Sequence, residues 1–152
     1  MARALFSAEQ VHEAADALSA EGKRDSAIKV LDKVMTNITE HSYYYDLTAY
    51  YIAAAYYRAG AVEKGRSLAM KIVRNAESDV NWVASLSDDS KAAQGGDVNQ
   101  QFQIMQSLGA TAYQAGDSVT TKAIYAKMQA LGPKVKDLLR NGRQQNGEGE
   151  EE

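Results

Sequence analysis

The 152-residue chain has no cysteine, one proline, one tryptophan and two histidines. The missing thiols exclude disulfides, thiolate metal sites and cysteine nucleophiles at once, and they leave the redox compartment open. The near-absence of proline, together with abundant alanine and no run of alternating β-branched residues, points to an all-α fold. No basic surplus exists: the formal charge is −3, part of it in the terminal run Glu148, Glu150, Glu151 and Glu152, so the footprint expected of a nucleic-acid binder is missing. The longest strongly apolar stretch, residues 43–57, is interrupted by Asp46 and Thr48 and is too short and too polar to span a bilayer. Residues 1–6 contain one arginine and no long apolar region, unlike a secretory signal. The length suits one domain, able to bury roughly 70% of the surface its unfolded chain exposes without a metal or disulfide.

What is present is an internal repeat. Three segments align on a glycine: ADALSAEGKRDSAIKVLDKVM on Gly22, AAAYYRAGAVEKGRSLAMKIV on Gly60, and GATAYQAGDSVTTKAIYAKMQ on Gly116. In each, a helical stretch with small residues ends at the glycine, which takes up the left-handed backbone that other residues resist, and a second helix follows. Asp25, Glu63 and Asp117 lie just beyond the three glycines, where a carboxylate suits the positive start of the next helix. The second helices carry apolar stripes at spacings of three and four: Ala27, Leu31, Val34, Met35, Ile38; Leu68, Ala69, Ile72, Val73, Ala76; Ile124, Met128, Leu131. Small residues on the first helices (Ala14, Ala15, Ala54, Ala55, Gly109, Ala112) allow close antiparallel approach. Ser7 and Gln10 form a capping box, flanked by Phe6 and Val11 as a hydrophobic staple.

The repeat is uneven. Gly22 and Gly60 are 38 residues apart, Gly60 and Gly116 are 56 apart, against about 34 for an ideal two-helix repeat. The first excess predicts a longer loop around His41 to Tyr43. The second predicts an insert at 79–96, with a short extra helix from Asp79 to Leu86 bearing Trp82 and a loop from Ser87 to Gly96. Pro133 should close the third hairpin, with Lys134 to Arg140 a last short helix. The expected organisation is one domain over 1–140, with hairpins at about 8–39, 43–78 and 97–131, and a disordered acidic tail over 141–152.

Little in the sequence carries catalytic chemistry. Glu9-x-x-His12, with Glu13 and Asp16 nearby, has the spacing of a di-iron ligand pair, but such sites need a second copy, and His41 is the only other histidine. No nucleophile elbow, Walker loop or dinucleotide fingerprint occurs, and the pair Asp88-Asp89 lies in a polar stretch with nothing to raise a pKa. No cofactor, metal or catalytic residue is expected. The nine tyrosines are conspicuous, seven of them between Tyr43 and Tyr57. As core filler they would hold rings between helices and hydroxyls at the rim; as surface residues they would make a binding face.

The three segments resemble the tetratricopeptide repeat. Leu108-Gly109, Gly116, Tyr125 and Pro133 carry the resemblance in the third copy, Ala15, Leu18, Gly22, Ala27 and Leu31 in the first, and Ala53, Tyr56 and Gly60 in the second; Gly65 and Thr121 depart from the family's preferred alanine. The resemblance implies an α-α superhelix of three hairpins whose first helices line a concave groove. Carried over position by position, that groove would show Glu9, His12 and Asp16, then Tyr50, Tyr57 and Arg58, then Gln106, Tyr113 and Gln114, with Tyr57 and Arg58 foremost. Tyrosine, arginine and glutamine suit an extended peptide or a sugar chain. A narrower resemblance, in EGKRDSAIKVLDKVM, YYYDL, AYYRAGAVEKGRSLAMKIV and NWVASL, is to the soluble C-terminal region of bacterial multi-spanning membrane proteins similar to protein O-mannosyltransferases. It implies a non-enzymatic scaffold attached to a glycosyltransferase-like parent in the inner membrane, with the parent's membrane part as partner; the resemblance does not fix the side, and the periplasmic one is taken as the expectation. The alternatives are a free-standing adaptor that binds a peptide segment, and an accessory part of an enzyme whose active site lies in the membrane region.

Overall fold

The computed structural model describes residues 2–37 and 45–147 of the backbone, and the side chains of 10–36, 47–87 and 98–140. Among these the chain is helical, without a strand: α1 (Ala2–Ala20), α2 (Arg24–Asn37), α3 (Tyr45–Arg58), α4 (Val62–Ala84), α5 (Asp88–Gln114) and α6 (Ser118–Gly147).

The three aligned glycines are the three hinges. Gly22, Gly60 and Gly116 have φ of 81°, 83° and 80°, and no other described residue has positive φ. Each closes its helix in the same way. The glycine N–H donates three residues back, to Ser19, Tyr57 or Tyr113, and the next N–H donates five back, from Lys23 to Leu18, Ala61 to Tyr56 and Asp117 to Ala112, at 2.8–3.1 Å. This is the Schellman closure, which satisfies helix-end carbonyls while reversing the chain.

The helices fold back in pairs, α1 on α2, α3 on α4, α5 on α6, and the pairs join by one rule. The first helix of each pair packs against both helices of the pair before it: α3 touches α1 and α2, and α5 touches α3 and α4; at the second joint α6 packs on α4 as well. The core follows these joints, with Leu31, Ile52, Ile72, Met105, Leu108 and Ile124 among the largest fully buried side chains. The central helix α3 is buried on nearly every side from Thr48 to Tyr57.

The expected insert takes another form. No separate short helix occupies 79–86; α4 continues through Trp82 to Ala84, nine residues longer than its mate α3. Nor is 87–96 a loop, since α5 begins at Asp88 and passes through Gly95 and Gly96. The third pair lengthens in step and covers the overhang: Val80 and Val83 are buried, Asp79 bonds Gln101, Glu77 meets Lys127, and Lys134 Nζ donates to Asn81 Oδ1 at 2.7 Å. Pro133 does not end the third hairpin. It lies inside α6, on its exposed side, where only the bond to the carbonyl four residues earlier is forgone, while Leu131, Val135 and Leu138 stay buried. The helix also continues through 141–147, where a disordered tail was expected; residues 148–152 and the loop expected around His41 to Tyr43 lie outside the described residues.

Candidate functional site

The polar side chains of the middle pair reach in both directions, and in both they grip an aspartate with a tyrosine hydroxyl and a cation. Towards the first pair, Tyr56 OH donates to Asp32 Oδ1 at 2.6 Å and Lys64 Nζ to Asp32 Oδ2 at 2.7 Å, with Lys64 Nζ also 6.0 Å from the Tyr56 ring centre. Towards the third pair, Tyr57 OH donates to Asp117 Oδ2 at 2.9 Å, and Arg66 donates through Nε to Oδ2 at 3.2 Å and through Nη2 to Oδ1 at 2.8 Å. Adjacent residues of α3 thus serve opposite joints.

Asp117 is also the cap of α6. Its Oδ1 accepts the Thr120 N–H at 3.2 Å, its Oδ2 accepts the Thr120 hydroxyl at 2.5 Å, and Arg66 Nε reaches the same hydroxyl at 3.1 Å. Burial alone would raise the Asp117 pKa, but the hydrogen bonds from Arg66, Thr120 and Tyr57 outweigh it and hold the carboxyl well below the usual range. Burial first, and then the neighbouring Asp117 carboxylate, push the Tyr57 hydroxyl up to about 12. At Asp32 burial is likewise outweighed, by the Lys64 and Tyr56 hydrogen bonds and the Lys64 charge, and the pKa is lowered. A carboxylate receiving this many donors is committed to structure and is a poor base or nucleophile.

Gly65 makes the second grip possible. A Cβ there would come within 3.0 Å of the Tyr57 ring, so the ring lies directly on the α4 backbone. Tyr57 is therefore core, 5% exposed, and not part of an accessible groove as the family geometry implied.

The remaining expected groove residues fall into two sets. His12, Asp16, Tyr50 and Arg58 come together across α1 and α3. Arg58 Nε donates to Asp16 Oδ1 at 2.7 Å, His12 Nδ1 lies 3.7 Å from Asp16 Oδ2, and the His12 ring stacks on Tyr51 with centres 5.3 Å apart and planes 5° from parallel. Tyr50 tilts against Tyr51 at 5.5 Å. Tyr51, not among the expected residues, is the centre of this cluster. Gln106, Tyr113 and Gln114 are exposed on α5. They belong to a face that also shows Gln103, Ser107 and Ala110, and no charged residue occurs between Asp97 and Asp117. Because α3 lies between α1 and α5, the aromatic cluster and the amide face belong to one layer of first helices.

The Glu9 side chain lies outside the described residues, and among the described ones no three His, Asp or Glu side chains converge as metal ligands would. No described helix is long and apolar enough to cross a membrane. No family model, curated protein or solved structure matches the chain.

Proposed function

We propose that the chain is a non-catalytic, tetratricopeptide-like binding module that receives an extended polypeptide segment across its layer of first helices. The observation that carries this reading is the division of labour among polar side chains. The groups with shifted pKa values, Asp32, Tyr56, Tyr57, Arg66 and Asp117, are spent on the joints between pairs. The outward residues of the first-helix layer are a tyrosine–histidine cluster edged by Arg58 and a neutral glutamine face. Rings supply flat apolar contact at low entropic cost, and amides both donate to and accept from a peptide backbone. The narrower resemblance adds a setting to the same reading: a scaffold beside a bacterial membrane, attached to a glycosyltransferase-like parent.

Selection of a random dodecamer phage library on the full chain tests the binding claim. The expected outcome is a consensus peptide whose affinity falls about tenfold or more with Tyr50→Ala or Arg58→Ala. No consensus, or peptides indifferent to both substitutions, would sink the reading.

A further inference from the structure

The two ends of the array differ. On α3, the stripe Thr48, Ile52, Ala55, Tyr56 and Ala59 is buried, and its Tyr56 reaches back to Asp32 of the preceding pair. Measured from the hinge glycine, the same stripe on α1 is Gln10, Ala14, Ala17, Leu18 and Glu21, and all but Leu18 are exposed. Glu13 and Asp25 stand exposed nearby. This end is small and polar, and its charges are of both signs: Glu21 pairs with Lys23 at 3.4 Å, and Arg24 adjoins Asp25.

The other end is aromatic. The middle pair holds Asp117 with Tyr57, three residues before its hinge, and Arg66, six after. In the third pair those positions are Tyr113 and Lys122, both exposed, Tyr113 by 73%. Val119 is 65% and Tyr125 41% exposed beside them in sequence, so three of the four large exposed hydrophobics among the described residues fall on the third pair. Tyr125 lies across α5, where a Cβ on Gly109 would come within 3.1 Å of its ring.

We propose that the open face of the third pair receives the first pair of a second copy of this chain, so that copies stack head to tail, with Tyr113, at the register of the buried Tyr57, given to this contact and Gln114, at the register of the exposed Arg58, left to the peptide. The contact would continue the rule of the two internal joints, with a first helix lying against both helices of the preceding pair. Bulk is complementary at the shared register. The receiving positions nine after each hinge are Leu31, Ala69 and Tyr125, and the incoming positions eight before are Ile52, Leu108 and, in the second copy, Ala14. What the receiving face gains in the tyrosine ring, the incoming helix gives up. Lys122 on one face can meet Glu13 on the other, while Glu21 is already paired with Lys23. Such a contact is heterologous and leaves a free face of each kind, so growth is open-ended.

Sedimentation of the full chain up to about 1 mM, the weak edge of useful affinity, should show average mass rising past a dimer without a plateau. Tyr113→Glu and Ala17→Glu, each at an exposed position, should separately leave a folded monomer with unchanged helicity and melting. Their equimolar mixture should form a 1:1 dimer and nothing larger, because one intact face of each kind survives. Lys122→Glu serves as a second block of the receiving face. A native chain that stays monomeric throughout, single variants that still dimerise with themselves, or a mixture that stays monomeric would each overturn the proposal.

Discussion

The two joints on either side of the middle pair use one recipe in two solvents. At each, an α3 tyrosine and an α4 cation grip an aspartate. The Asp32 side chain is 42% exposed, whereas that of Asp117 is 0% exposed and also caps a helix. Water reaches the carboxylate at the first joint and is excluded from it at the second. A tyrosine, a cation and an aspartate therefore hold weakly in one place and firmly in the other, the cation being an ammonium at the first and a two-contact guanidinium at the second.

Removal of either aspartate tests how far burial sets the strength of its joint. Asp117→Ala strands the Tyr57 hydroxyl, part of Arg66 and the start of α6, and should cost about 3 kcal/mol in urea unfolding of the full chain. Asp32→Ala should cost less than about 1 kcal/mol. Equal losses would show that burial does not set the difference.

Gly65 sharpens it. A methyl group at a helix interior is worth up to about 1 kcal/mol over glycine, but here it would press on a ring pinned at its hydroxyl by Asp117. Gly65→Ala should destabilise by about 1 kcal/mol, and stabilise by about half that when Tyr57 is already alanine. A stabilising Gly65→Ala in the native background would mean the ring yields freely.

The smallest effects are in pH. Asp117 titrates below its ordinary value of 3.8, so its contribution is complete above that value and is lost as pH falls further, through the depressed folded pKa. Asp117→Asn should flatten this acid limb. Tyr57 runs the other way. Its pKa is raised from 10.0 to about 12, so its contribution is complete below 10.0 and declines as pH rises towards about 12, and Tyr57→Phe should flatten the alkaline limb. Unchanged limbs in both variants would remove the electrostatic account of this joint.

The hinges and the second-helix stripes were legible in the sequence because they are local: a glycine forced to positive φ and an apolar period of 3.6 need no knowledge of the partner. The aspartate beside Gly116 was legible as a helix cap, but not as the anchor for Tyr57 and Arg66, since they lie 60 and 51 residues away. Punctuation misled where it was weak. Gly95-Gly96 and Pro133 are ordinary stop signals, yet both sit inside long helices, the proline on an exposed side where its cost is smallest. Tyr57 looked like a surface residue because its neighbours in the repeat pattern would be; only the absent side chain at Gly65 makes room to bury it. Tyr113, at the same register but beside Thr121 in place of that glycine, is exposed.

The overhang of α4 has a further consequence. Extra residues in a repetitive fold are commonly pictured as a loop pushed out sideways, leaving the frame untouched. Here they are absorbed lengthwise, by two consecutive helices growing together, so the frame itself becomes longer at one end than at the other. The third pair is thereby fastened along a stretch of α4 beyond Ala76, through Glu77, Asp79 and Asn81, and its attachment depends on how far that neighbour extends as much as on the residues at the hinge.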